Sequence, residues 1–286
     1  MPGTWGTLDG PQTWMLDDDL FRRTCALVHD VTGLSFTESS RYFLERRLEG
    51  RMSALGGMSP LEYLQYLQYD ADRAQEWDLL IAVITTNETY FMREDRQLRC
   101  FQRDILPQLA ERGQKVRIWS AGCSSGEEPY SLAILIKEAA ACAEDQVEIY
   151  ATDINTRVLA KAKAGVYGEA SFRAVDKGFR ERWFVEEAPG KFKIREVIQR
   201  RVTFSRFNLF EAERYGLLTP FDVIFCRNVI IYFDLEAKVR VLERFYEKVR
   251  NGGYLLLGHS ESLISVTDRF KLVHLPTDLV YTKVGP

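Results

Sequence analysis

The stretch Val116-Arg117-Ile118-Trp119-Ser120-Ala121-Gly122-Cys123-Ser124-Ser125-Gly126-Glu127-Glu128-Pro129-Tyr130 joins a short apolar strand to a glycine-bounded turn and the first turn of a helix. Residues 116–119 are rich in β-formers and read as a strand. Gly122 and Gly126 bracket the turn, and Glu127 and Glu128 stand where acids favour a helix start. The spacing predicts that this helix continues to about residue 143. The same grammar recurs downstream. A strand over 147–151 ends towards Asp153 and precedes a helix over 155–164. A buried strand over 221–226 precedes a helix over 235–249, a turn at Asn251-Gly252-Gly253 and a further strand over 254–257. Such alternation predicts an α/β fold with a parallel sheet covered by helices on both faces. Residues 270–273 and 279–284, separated by Pro276, read as an antiparallel pair that closes the sheet. Between about 166 and 201 the alternation breaks. A short helix near 177–184, the turn Ala188-Pro189-Gly190 and the alternating Phe192-Lys193-Ile194-Arg195 predict a small β insertion.

Upstream the pattern is wholly helical. Residues 1–16 lack periodicity and read as a loose tail. Residues 17–86 read as an all-helical domain. Its first helix opens on Asp17, Asp18 and Asp19 and stops at Gly33, and a second covers 38–55. A third opens at the capping box Ser59-Pro60-Leu61-Glu62, and a fourth covers 73–84. Residues 87–115 read as a linker and one connecting helix, 94–112, ending at Gly113. Residues 116–286 form the sheet domain.

Composition narrows the function. The 286 residues carry 38 basic and 41 acidic side chains, a net charge of −3, which disfavours a nucleic-acid partner held by bulk charge. No uncharged apolar run approaches the ~20 residues of a membrane helix, so no membrane insertion is expected. The five cysteines are scattered singly and histidines number three, so neither a metal site nor disulfides are expected, and the chain reads as cytoplasmic. Nothing calls for an obligate oligomer, and a monomer is expected.

Ligands of open parallel sheets lie at the carboxyl ends of the strands. The first such end carries Glu127 and Glu128 beside the glycine turn. A pyrophosphate wants bare N–H groups and cations there, whereas carboxylates suit a ligand with an ammonium group; equally, the two acids could serve only the helix dipole. Gly122 and Gly126 lie four apart, which is not the dinucleotide pattern. The second end carries Asp153, placed to accept ribose hydroxyls or to cap the next helix. The third carries Arg227-Asn228, followed by Tyr232, and Asn208-Leu209 is a fourth candidate contact. A ribose acid, an ammonium-compatible loop and no phosphate cradle together fit S-adenosylmethionine.

Several segments then resemble one family, the CheR chemotaxis-receptor methyltransferases. They are Thr85-Thr86-Asn87-Glu88-Thr89-Tyr90-Phe91-Met92-Arg93-Glu94, the stretch from Trp119 to Ser131, Ala151-Thr152-Asp153-Ile154, the run from Phe225 to Phe233, and Gly258-His259-Ser260-Glu261-Ser262. The resemblance implies a Rossmann-like class I methyltransferase sheet behind an all-helical N-terminal domain. It implies methyl transfer from S-adenosylmethionine to glutamate side chains on the cytoplasmic helices of chemoreceptors, for sensory adaptation. The implied cofactor contacts are Asn87, Thr89, Arg93, Glu128, Asp153, Asn208, Leu209, Arg227 and Asn228. Arg93 and Tyr232 match the residues near the transferred methyl.

The resemblance also implies that the basic helix bearing Arg46, Arg47 and Arg51 meets the acidic receptor; a solvated charged face is the plain alternative. Relatives that bind a tethering peptide at the receptor C-terminus carry a longer loop in the β insertion. Here Glu186-Glu187-Ala188-Pro189-Gly190-Lys191 is short, so independence from such a peptide is expected. A regulatory module that binds S-adenosylmethionine without turnover, or a methyltransferase with another protein acceptor, is the rival reading.

Overall fold

The computed structural model describes residues 15–139 and 146–283. Most of the expected tail, the end of the helix expected to reach residue 143, and Cys142 lie outside the described residues. The chain divides into two units, one holding residues 35–84 with 1–30, the other residues 85–286 with 31–34.

The first unit is helical. It contains α1 (Asp18–Thr32), a single 3₁₀ turn (Glu38–Ser40), α2 (Arg41–Ala54), α3 (Pro60–Tyr69) and α4 (Arg73–Ile84). The capping box forms: Ser59 Oγ accepts from Glu62 N–H at 3.4 Å and Glu62 Oε2 accepts from Ser59 N–H at 2.8 Å. Helices α2 and α3 both pack on α4, burying Leu44, Leu48, Leu64, Leu67, Leu80 and Ile81. Leu16 is already buried, its N–H donating to Glu45, so order begins before residue 17.

In the second unit, α5 (Asp95–Cys100), a π turn (Phe101–Ile105) and α6 (Leu106–Ala110) replace the single expected helix. Pro107 accounts for the break. It has no N–H, its ring crowds the carbonyl four residues back at Arg103, and a wider turn relieves that contact. The sheet strands are β1 (Val116–Ala121), β2 (Val147–Asp153), β6 (Val202–Arg206), β7 (Phe221–Cys226), β8 (Val249–Leu257), β9 (Phe270–His274) and β10 (Leu279–Lys283), in the order β6-β2-β1-β7-β8-β10-β9. The first five pair in parallel and β10 runs antiparallel to both its neighbours. The helices between them are α7 (Glu127–Ala139), α8 (Thr156–Ala164) and α11 (Leu235–Lys248). Side chains alternate between the faces, so consecutive residues fall in different cores. Ile118, Val223, Phe225 and Leu256 share one core with α7; Trp119, Ile224, Cys226 and Leu255 share the other with Val241, Leu242 and Phe245 of α11.

The turn expected at Asn251-Gly252-Gly253 is instead part of β8, which runs through it as an irregularity. Phe221 pairs with Val249 and Val223 already with Tyr254, so extra residues of β8 are looped out. Gly252 supplies the left-handed φ of +69° and Gly253 the close approach, since a Cβ there would lie 2.7 Å from the Asp222 carbonyl.

The expected insertion is a three-stranded antiparallel sheet, β3 (Val166–Tyr167), β5 (Lys191–Ile194) and β4 (Phe184–Ala188), with α9 (Lys177–Trp183) and α10 (Glu196–Gln199) beside it. It is tied to the 85–94 segment through Phe91. That ring lies 4.8 to 5.3 Å from those of Tyr167, Phe172 and Phe184, and its N–H donates to Ser171 O.

Candidate active site

The carboxyl edge of β1, β2 and β7 gathers most of the polar side chains singled out above. After β1 the chain turns on Gly122, at φ +86°, where an added Cβ would lie 2.4 Å from a Val229 methyl. Gly122 and Cys123 both donate their N–H groups to Thr152 O at 2.8 Å, pinning the loop to the end of β2. Asp153 completes that seam: Oδ2 accepts from Ser124 N–H at 2.8 Å and Oδ1 from Asn155 N–H at 2.9 Å. Burial pushes the Asp153 carboxyl above the usual aspartate range, against the pull of those amides. Each oxygen keeps a further lone pair. Asn155 caps α8, accepting from Arg157 and Val158, so the expected capping role falls on the residue after next.

The two acids at the start of α7 have different roles. Glu127 is buried, with Ser125 Oγ at 2.8 Å and Ser171 Oγ at 3.0 Å, and burial raises its carboxyl. Glu128 faces the edge, accepting from Ser120 Oγ at 2.7 Å and from Arg227 Nη1 at 3.1 Å. Arg227, its side chain only 2% exposed, is the hub. Nη2 donates to the Arg93 carbonyl at 2.6 Å and to Glu94 Oε2 at 3.1 Å, while Nε is buried without an acceptor among the described residues. Asn228, at φ +58°, sends Nδ2 to Glu94 Oε1 at 3.3 Å. Thus Arg93, Glu128, Arg227 and Asn228 meet in one network.

The remaining candidates are arranged around it. Ser124 Oγ donates to Asn87 O at 3.2 Å, and the Asn87 side chain donates to Thr85. Arg93 donates to Glu88 O at 2.6 Å, with its guanidinium 5.8 Å from the Tyr90 ring centroid. Thr89 and Tyr232 are partly exposed, Tyr232 at the end of a 3₁₀ turn (Ile230–Tyr232). Past β6, Asn208 Nδ2 donates to Val31 O at 2.7 Å, and the carbonyl of buried Leu209 accepts from Tyr215 Oη at 2.9 Å.

In the helical unit Arg46, Arg47 and Arg51 of α2 differ. Arg46 pairs with Glu49 at 2.5 Å, and exposed Arg47 lies 5.0 Å from the Phe43 ring. Arg51 is spent internally: Nε and Nη2 fork onto Glu76 at 2.9 and 2.7 Å, and Tyr63 Oη adds a third bond at 2.6 Å. It is therefore a packing cation, not a charge on offer.

The sequence motifs contained two acids whose work they did not reveal. Glu94, in a left-handed conformation at φ +51°, bridges Arg227, Asn228 and the His259 N–H. Burial acts to raise its carboxyl, but Arg227, the Asn228 amide and His259 together outweigh it and hold it below the ordinary range. Glu261 accepts backbone N–H groups from the loop after β7. Among the described residues, four of the five non-glycine residues at positive φ, Met92, Glu94, Ser124 and Asn228, belong to these loops, a concentration of strain typical of functional sites.

Comparison with known proteins settles the family. Residues 19–85 match the all-alpha domain of CheR methyltransferase, and residues 87–279 match its SAM-binding domain. The chain belongs to the CheR methyltransferase family. Chemotaxis protein methyltransferase 2 of Vibrio cholerae is 35% identical over 272 residues, 94% of each chain. Chemotaxis protein methyltransferase 1 of Pseudomonas aeruginosa is 35% identical over 272 residues, 93% of this chain and 97% of its own. The Salmonella typhimurium enzyme is 35% identical over 268 residues, 91% and 90%. The loops described above all fall within the CheR SAM-binding match. Among the described residues no helix is long and apolar enough to cross a membrane.

Proposed function

We propose that this CheR-family protein transfers a methyl group from S-adenosylmethionine to glutamate side chains of chemoreceptor cytoplasmic helices. The observation that carries the reading is the Arg227 network, which joins Glu128, Glu94 and the Arg93 carbonyl at the carboxyl edge of the sheet. Its donor set suits the cofactor. Glu128 paired with Arg227 offers one charge of each sign, matching the ammonium and carboxylate of a methionine tail, and the orphaned Arg227 Nε–H gains an acceptor. Asp153 takes the ribose hydroxyls on its spare lone pairs. Gly122 lets the loop turn at φ +86° with Val229 packed against it, which holds the edge in place. Asn87, Thr89, Asn208, Leu209 and Asn228 line the same ligand.

When bound, S-adenosylmethionine supplies a methyl activated by its positive sulfur; a carboxylate oxygen displaces that sulfur, giving the ester and S-adenosylhomocysteine. The acceptor, with a reference pKa near ~4.3, is already ionised at neutral pH, so the chain need supply no general base. What it supplies is orientation and exclusion of water. Arg93 orients the carboxylate, and Tyr232 packs beside the methyl. The exposed charges of Arg46 and Arg47 meet the acidic receptor. The two-residue turn Pro189-Gly190 leaves the β4–β5 hairpin short, which supports independence from a receptor C-terminal peptide.

The test is transfer of labelled methyl to purified chemoreceptor cytoplasmic fragments, followed by mild base. Base-labile label supports a carboxyl ester; base-stable label refutes it. Arg93→Ala and Tyr232→Phe should each cost kcat/KM well over twofold, and a change under ~0.5 kcal/mol in either would remove that residue's role.

A further inference from the structure

We propose that Glu261 is the positioning residue for the segment 228–232, an internal anion that sets the backbone carrying Asn228 and Tyr232. The inference rests on the methyltransferase reading of the site. The Glu261 carboxylate accepts four backbone N–H groups. Oε2 takes Asn228 and Gly258, each at 2.7 Å; Oε1 takes Val229 at 2.9 Å and Ile231 at 3.2 Å. Three of the four belong to the segment that follows β7. N–H groups converging in this way form an anion site, and here the anion is the chain's own side chain.

Physical need explains the arrangement. Asn228 is left-handed at φ +58°, which costs a non-glycine residue free energy unless its surroundings hold it there. Glu261 holds its N–H and Glu94 its side-chain amide. Gly258 makes the approach possible: a Cβ there would lie 2.7 Å from Asn228 Nδ2, 2.9 Å from Asn228 N and 2.9 Å from Glu261 Oε2. Asp153 and Glu128 are anchored by Ser124, Asn155, Ser120 and Arg227, with no bond to Glu261. Of the proposed cofactor contacts only Asn228 lies in the segment that Glu261 holds, so loss of Glu261 disturbs the alignment of the reacting groups more than the grip on the cofactor. That difference separates a positioning role from a general structural one.

Glu261→Gln keeps the shape, but its NH₂ must face two of the four N–H donors. For this variant kcat towards a purified chemoreceptor cytoplasmic fragment should fall by about tenfold or more, while the Kd for S-adenosylhomocysteine, by calorimetry, stays within about threefold. Gly258→Ala, whose added methyl crowds Asn228 and the Glu261 carboxylate at the point where they meet, should reproduce the split. It alone decides if Glu261→Gln is unfolded at the assay temperature. A kcat within about twofold of wild type overturns the proposal, as does a Kd that weakens as much as kcat falls. A wild-type protein that binds S-adenosylhomocysteine yet labels no receptor refutes the underlying reading instead, and is recognised before any variant is made.

Discussion

Replacing Gly122 by alanine would test whether the loop after β1 is held by close packing or by backbone freedom alone. Two costs are separable. At φ +86° any side chain is strained, by roughly 1–2 kcal/mol. The added methyl would also lie 2.4 Å from Val229 Cγ2 and 3.2 Å from Cγ1, an overlap worth about 1–3 kcal/mol if the neighbours must shift. Gly122→Ala should therefore destabilise the protein by roughly 2–5 kcal/mol, the sum of the two. Val229→Ala removes both Cγ atoms and leaves a Cβ 3.4 Å away, an ordinary contact. In the double variant the overlap disappears and only the backbone strain remains. Urea unfolding of wild type, both single variants and the pair gives a double-mutant cycle, in which the coupling should be favourable by about 1–3 kcal/mol. Strictly additive costs would refute the packing argument and leave φ as the sole reason for glycine. S-adenosylhomocysteine affinity in the same four proteins should follow the stability order, because the loop amides shape that edge.

Asp153 must be ionised to accept ribose hydroxyls on both oxygens, and burial raises its carboxyl; cofactor affinity should therefore decline on acidification at a pH above the ~3.9 of an ordinary aspartate, and Asp153→Asn should flatten that decline while weakening binding by about tenfold or more. Calorimetry across pH checks both, and an unchanged profile in the variant would exclude Asp153 as the titrating group. Glu76→Gln should destabilise the helical unit by roughly 2–4 kcal/mol, because Arg51 is only 15% exposed and loses the charge it forks onto; a loss under about 0.5 kcal/mol in urea unfolding would contradict this. Arg47→Glu, by contrast, should leave stability within about 0.5 kcal/mol and raise KM for receptor without raising it for S-adenosylmethionine; equal KM values would rule out docking through this face.

What could be read from the sequence is what local pattern determines. Phe221–Cys226 is buried throughout, and its apolar run Val223-Ile224-Phe225-Cys226, ended by Arg227, already marks it as a strand. Arg73–Ile84 and the Ser59 capping box follow from periodicity and cap chemistry. The π turn ahead of Pro107 was not legible, since a proline within a helical pattern signals a break without its geometry. Asn251-Gly252-Gly253 has turn composition, but Val249 and Tyr254 on either side of it pair with β7, so it is carried inside one strand as an irregularity. At the site, Asp153 and Glu128 could be anticipated from their places after a strand and at a helix start. Glu94 and Glu261 could not, because each acts on groups far away in sequence, 133 residues between Glu94 and Arg227 and 33 between Glu261 and Asn228. Arg51 shows the same limit: four residues from Arg47 on a charged helix, it looks solvent-facing until Glu76, 25 residues on, comes into contact.

The ring cluster around Phe91 has a consequence for how such a protein can diversify. Tyr167, Phe172 and Phe184 pack on a residue two positions from Arg93, so the base of the insertion shares its core with the loop that reaches the chemistry. Its far end does not: nothing lies within 4 Å of a Cβ built at Gly190. The tip between β4 and β5 is thus open to lengthening, shortening or wholesale exchange of residues at little cost to turnover. Trimming the insertion at its root, as a minimal catalytic core might invite, would unseat the loop it props. New recognition can be grown at one end of this appendage only because the other end is fixed.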